Sequence, residues 1–154
     1  MLKKTSLLIL FLFICSCEYE PTHSKKNRVN YNFSISSLNF EGDRDINLKI
    51  KERLNNYTTN KRDKKFSLKI TSSSQKTVLA KDISGDPTSF KSTIVVDIEV
   101  LLEDKFKNNL QVIESFNYNN NSNKFDLKKY EREIRNSLAK TASDKLIFKL
   151  SSIQ

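Results

Sequence analysis

The clearest pattern in the chain is the alternation over residues 91–102. Ile94, Val96, Ile98, Val100 and Leu102 share one side, and Thr93, Asp97 and Glu99 share the other. One apolar and one wet side at period two predicts a strand of an antiparallel sheet. Leu110, Val112, Phe116 and Tyr118 repeat the pattern in a partner strand, with Glu114 breaking the row, and residues 104–109 (DKFKNN) read as the hairpin connection. Upstream, Phe66, Leu68 and Ile70 alternate, a serine-rich patch follows, and residues 77–83 are again extended. Residues 66–83 fit either one long bent strand or two short ones. Ser84-Gly85-Asp86-Pro87 is a turn by composition. Phe33 and Ile35, alternating with serines, predict a further strand over 33–40.

Two segments carry the longer period of a helix. Ile46, Ile50, Leu54 and Tyr57 recur behind Asp43, a capping residue type, and predict about four turns of amphipathic helix. A charged stretch, residues 58–65, ends it. Leu127, Tyr130, Ile134, Leu138, Ala142, Leu146 and Leu150 form a second stripe, with Asp126 as the expected N-cap and Glu131–Arg135 as an i,i+4 pair on the outer side. This helix is about 24 residues, or about 36 Å at 1.5 Å per residue. A strand of about 12 residues over 91–102 spans about 40 Å, so the helix can cover the sheet from end to end.

The element order is β-α-β-β-β-α. Each helix has one apolar stripe, and the best strands have one apolar face. The expected architecture is therefore an α+β two-layer sandwich, with both helices on one face of a mixed or antiparallel sheet. That sheet has four strands, or five if residues 66–83 divide. No internal repeat is present.

The start of the chain follows a different logic. Lys3 and Lys4 precede an unbroken apolar run, residues 7–14. It is shorter than the roughly 20 residues a spanning helix needs, and it suits the core of a secretory signal. Ile14-Cys15-Ser16-Cys17 then reads as a lipobox, cut before a cysteine that takes the lipids. Cys17 fits, with Ser16 before the cut; Cys15 does not, because Ile14 is too bulky there. A plain cleaved signal is the alternative. A C-x-C pair with His23 as the only histidine cannot complete a four-ligand zinc site. A redox pair normally has two residues between its cysteines. The expected organisation is a signal peptide over 1–16, the lipidated Cys17 and a polar tether over 17–31, and one domain over 32–154. Each buried methylene of the lipid stabilises attachment by about 0.8 kcal/mol. Glu18, rather than aspartate, follows the cysteine, which favours the outer membrane over inner-membrane retention.

Charge then bears on partners. The formal charge is +9, and +7 once Lys3 and Lys4 leave with the signal. Such an excess suggests an anionic partner: lipid phosphates, an acidic protein surface or nucleic acid. For a lipid-anchored exported protein the first is expected and the last is not. An ordinary solvated surface is the plain alternative. Catalytic chemistry is scarce. His23 lies in the tether, which removes Ser-His-Asp and Cys-His machinery, and there is no glycine-rich phosphate loop. Asp82 and Asp86 flank a turn, and Asp97 and Glu99 line a wet strand face, a solvated arrangement rather than a metal site. No enzyme, metal or cofactor is expected beyond the covalent lipid on Cys17.

Taken in order, these features resemble the LptE family, lipopolysaccharide-assembly lipoproteins of the outer membrane. Cys17-x-Tyr19-x-Pro21 is similar to the family's opening. The stretch FSLKITSSSQKTVLAKDISGDPTSFKSTIVVDIEVLL has its layout of strand, serine-rich link, strand, glycine turn and long alternating strand. DLKKYEREIRNSLAKTASDKLIFKL is similar to its last helix. The chain departs from the pattern at Glu18, where the family often has glycine. It departs again at Ile83-Ser84-Gly85, where the family turn tends to carry a basic residue beside Asn-Gly; the nearest here is Lys81. The resemblance implies a non-catalytic protein on the periplasmic face of the outer membrane. It would plug an LptD-type β-barrel, assist its assembly and help deliver lipopolysaccharide to the outer leaflet. A rigid polar domain suits a polar lumen. Lys81, Lys91, Lys124, Lys128 and Lys129, near turns and helix starts, are the candidate lipopolysaccharide contacts, as point charges for phosphates. The alternative on a similar scaffold is an auxiliary lipoprotein of a lipid-transport ABC system, or a pilotin-like chaperone for a secretion pore.

Overall fold

A computed structural model describes residues 32–59, 62–103 and 105–153. In chain order the elements are β1 (Phe33–Gly42), α1 (Arg44–Thr58), β2 (Lys64–Lys81), β3 (Pro87–Leu102), β4 (Lys105–Asn119) and α2 (Lys124–Ser151). The strands form one sheet in the order β1-β2-β3-β4. β1 and β2 are parallel, joined through α1, and the other two pairings are antiparallel. Both helices cover the same sheet face, so the two-layer α+β architecture is as the patterning predicts.

β1 reaches the core by changing register. Ile35 pairs with Phe66 and Leu38 with Leu68, the shift falling at Ser36. Without that bulge, strict alternation would turn Leu38 and Phe40 away from the core that Phe33 and Ile35 enter. Ser36 fills the irregularity by donating to Phe66 O at 3.1 Å. The strand ends at Gly42, with φ of 89°. Asp43 then caps α1, its carboxylate accepting from Asp45 N and Ile46 N. Ile46, Ile50 and Leu54 are buried, and Tyr57 stacks on Phe33 at 4.9 Å.

Residues 66–81 are one strand, not two. The serine patch that looks like a break is held by α1's cap. Ser72 is buried and bonds Asn47 Oδ1 at 2.8 Å and Asp43 O at 3.2 Å, and Ser74 donates to Asp43 Oδ2 at 2.7 Å. Pairing with β3 is continuous through it, from Phe66–Leu102 to Val78–Phe90. The β2–β3 turn is built by Asp82, whose Oδ1 accepts from Ser84 N and Asp86 N.

Several expectations are corrected. The β3–β4 connection is not residues 104–109: Leu102 already pairs with Lys105, and β4 runs from there. β4 is an edge strand, so its first residues need no apolar alternation to pair. α2 is capped by Asn123, which accepts from Phe125 N and Asp126 N, and Asp126 falls in the first turn. There its charge complements the helix dipole. α2 has 28 residues, longer than the pattern suggests. Leu127, Ile134, Leu138, Ala142, Leu146 and Leu150 are buried as expected, but Tyr130 and Phe116 are exposed.

Candidate functional site

The sheet face that carries the helices also places most of the candidate lysines. Lys124 and Lys128 are one turn apart at the start of α2, and Arg132 continues the same row. Lys124, Lys128, Lys129 and Arg132 are exposed. Among the described residues none of the four has an ion-pair partner. Lys81 ends β2 opposite Pro87, whose carbonyl accepts from Asn120 just before α2. It therefore belongs to the same end of the molecule. Lys91 does not. It sits in β3 between Phe90 and Ser92, which are buried under the helices, so it points to the opposite sheet face, between Thr77 and Asn117. Cys17 lies outside the described residues, as do the signal and nearly all of the tether.

Of the three acids in this stretch, Asp126, Glu131 and Glu133, one is engaged elsewhere. Glu131 is not on the outer side: its side chain is 15% exposed and turned to the sheet, where Lys76 of β2 pairs with it. Tyr118 of β4 donates to the same oxygen at 2.9 Å. Burial pushes the Glu131 carboxyl up, but the bonds from Lys76 and Tyr118, with Arg135 nearby, outweigh it and hold it below its ordinary value. The Tyr118 phenol is raised by burial and by its bond to this carboxylate. Lys76 lies 3.7 Å over the Phe90 ring. So residues of β2, β4 and α2 hold one carboxylate inward, while Lys124, Lys128, Lys129 and Arg132 stand exposed beside Asp126 and Glu133 with no ion pair to either among the described residues. Sequence reasoning missed Arg132, which the i,i+4 spacing from Lys128 could have supplied. It also missed Lys76, for which no local signal exists.

A second knot sits where α1 begins. The Asp43 carboxyl is pushed up by partial burial. The Ser74 hydroxyl, the Ile46 and Asp45 amides and the Arg135 charge more than reverse this and hold it low. On the open sheet face Asp97 accepts from Gln111 at 2.7 Å, and Lys69 lies 3.5 Å from Glu41 and 3.9 Å from Glu99. These acids are spent on neighbours across the strands. No group of three or more His, Cys, Asp or Glu among the described residues could hold a metal ion. No helix among them is long and apolar enough to cross a membrane.

The fold is shared with solved lipoprotein structures. Rare lipoprotein B from Shewanella oneidensis superposes with a TM-score of 0.59 at 15% identity, covering 75% of this chain and 94% of that one. A minor lipoprotein from Acinetobacter baumannii gives 0.58 at 9% identity, over 78% and 93%. Lipoprotein B from Nitrosomonas europaea gives 0.51 at 12%, over 77% and 87%. No protein-family model matches the chain, and no curated protein matches it in sequence.

Proposed function

We propose that this chain is a non-catalytic, lipid-anchored outer-membrane protein of LptE type. In this reading it seats in an LptD-type barrel, assists that barrel's assembly and helps pass lipopolysaccharide to the outer leaflet. The observation that carries the reading is the whole-domain likeness to rare lipoprotein B, an LptE-family protein, behind a lipobox at Cys17. The basic start of α2, with Lys81 beside it, supplies unpaired cations for lipid phosphates, led by Lys124, Lys128, Lys129 and Arg132. Lys91, on the other sheet face, cannot join them and serves a different surface.

The test is a pull-down of the tagged chain from its native membrane in mild detergent. A stoichiometric large outer-membrane β-barrel is the expected result. An inner-membrane ABC transporter, or no partner, would move the function to an auxiliary lipoprotein. Lys128→Glu with Arg132→Glu should keep the barrel and weaken lipopolysaccharide capture. Unchanged capture would remove α2 from the lipid path.

A further inference from the structure

The two ends of the sheet are guarded unequally. β1 lies at one end and β4 at the other, and each edge strand offers a row of backbone N–H and C=O groups to another chain. On β4 part of that row is covered, because Lys149 of α2 donates to Gln111 O at 2.8 Å. β1 (FSISSLNFEG) contains no lysine, arginine or proline, the residues that usually blunt an edge. Its register shift at Ser36 interrupts the row and leaves residues 37–42 as the regular stretch.

Beside this stretch, β1 and α1 enclose a groove of about 320 Å3, lined by Phe40 and Gly42 of β1 and by Arg44, Leu48 and Lys51 of α1. These residues share one side of the sheet. Phe40 pairs with the buried Ile70, so its side chain lies on the face that carries the helices. Residues 44, 48 and 51 recur at the spacing that shares a helix face. The opposite flank of α1 meets α2, where Arg53 donates to Asp144 at 2.8 Å. Leu48 is 47% exposed. Arg44 and Lys51 are exposed, and neither has an ion-pair partner among the described residues. The acids around them are Glu41, 3.5 Å from Lys69, Asp43, which caps α1, and Glu52, which pairs with Lys49 at 2.9 Å. Asp45 stands in the first turn outside the groove lining and pairs with neither cation.

These features choose the occupant. Edge amides and carbonyls need hydrogen-bond partners, which an acyl chain lacks and an extended peptide supplies. A strand laid along residues 37–42 turns alternate side chains to the helix side, where Phe40 and Leu48 offer apolar surface. Arg44 and Lys51 flank Leu48 and stand seven residues apart, about 10.5 Å along the helix. On a strand, two acids that flank an apolar residue on one face are four residues apart, about 13 Å. The reach of two long basic side chains takes up the difference. A second copy of this chain does not suit the edge. Two β1 strands paired antiparallel about a twofold axis normal to the sheet would bring both α1 flanks to one face, cations against cations. We propose that the β1 edge takes an extended segment of a partner protein as a fifth strand. An apolar side chain of that segment lies against Phe40 and Leu48, and acidic residues on either side of it pair with Arg44 and Lys51. The inference does not rest on the barrel or lipid reading.

The experiment uses the full chain in a zwitterionic detergent and a library of short synthetic peptides built on the core Glu-Thr-Leu-Thr-Glu, with glutamine or lysine in place of both glutamates in parallel sets. Members of the acidic set should bind, with Kd read by fluorescence anisotropy. Arg44→Glu with Lys51→Glu should weaken that binding at least about tenfold, because each reversal replaces an attraction with a repulsion. The same variant should capture the lysine set instead, a switch that loss of fold does not produce. Lys128→Glu should leave binding unchanged. N-methylation of the peptide backbone at one set of alternate residues should abolish binding, and at the other set should not, because only one set turns its N–H groups to β1. That comparison uses the unmutated chain, so the test survives if the double variant fails to fold. Capture of no acidic peptide overturns the inference. So does equal capture of all three sets, or binding that neither the double variant nor either methylation changes. Binding of phosphatidylglycerol vesicles through Arg44 and Lys51 with no peptide bound, or a dimer formed through β1 with no peptide bound, overturns it as well.

Discussion

Replacing Gly42 with alanine tests whether the β1–α1 corner depends on a backbone approach that no side chain can enter. Gly42 has φ of 89°, and a Cβ built there would lie 1.9 Å from Ser72 O. The left-handed backbone alone costs a non-glycine residue about 1–2 kcal/mol. The overlap then forces Ser72 and the corner apart. Ser72 O is the acceptor for Asp43 N at 3.0 Å, a bond worth about 1 kcal/mol net. Displacing Asp43 also loosens the α1 cap, worth about another 1 kcal/mol. The sum is about 3–4 kcal/mol, a large share of a typical 5–15 kcal/mol stability.

Gly85 supplies the control. Its φ is 87°, but nothing lies within 4 Å of a Cβ built on it. Gly85→Ala should therefore cost only the backbone term, about 1–2 kcal/mol. Equilibrium urea unfolding of both variants, followed by far-UV circular dichroism, reads the difference directly. Gly42→Ala should be the less stable by about 2 kcal/mol, or roughly 8 °C in Tm at about 4 °C per kcal/mol. Equal losses, within about 0.5 kcal/mol, would refute the close approach and leave only the shared backbone strain.

Three further outcomes follow from the structure. Asp43 and Glu131 are both held below the ordinary values of 3.8 and 4.5. The stability they add is complete above those values and is lost as pH falls through the lowered folded ones. Thermal melts from pH 7 to pH 3 should show a shallower acid loss in Asp43→Asn with Glu131→Gln than in the parent, and parallel curves would contradict this. Glu131→Ala leaves Lys76 and Tyr118 without their acceptor and should destabilise by about 2 kcal/mol, measured in urea; Tyr118→Phe should cost about half as much. Cys17→Ala should abolish lipid addition, shifting the mass of the mature chain and releasing it from membranes; unchanged mass and fractionation would end the lipobox reading.

Much of the fold was legible because burial imposes period. The row from Ile94 to Leu102 and the stripe from Ile134 to Leu150 each face one environment along their length, so side-chain type reports position. Where that condition fails, the pattern fails too. Ser72 is buried by its bonds to Asn47 and Asp43 rather than by hydrophobicity, so β2 looked broken at its best-anchored point. Lys105 and its neighbours pair on one side only and carry no apolar row. Asn123 and Asp126 are both capping residue types three apart, and composition cannot choose between them.

The candidate sites show the same limit more sharply. A lysine's type says that it carries charge, not whether that charge is free. Lys76 and Lys128 look alike in the sequence, yet Lys76 is spent on Glu131 and the Phe90 ring, while Lys128 has no ion-pair partner among the described residues. What separates them is a carboxylate delivered from another element, and only the fold supplies that. The edge of the sheet inverts the case. Phe116 and Tyr130 obey the hydrophobic pattern but not the burial it implies, because β4 is an edge strand with a neighbour on one side only. An aromatic residue that matches the core period but remains open to solvent is a mismatch between local pattern and tertiary packing, and such mismatches concentrate where a surface is shaped for something else. Here both stand at the edge where β4 meets the start of α2.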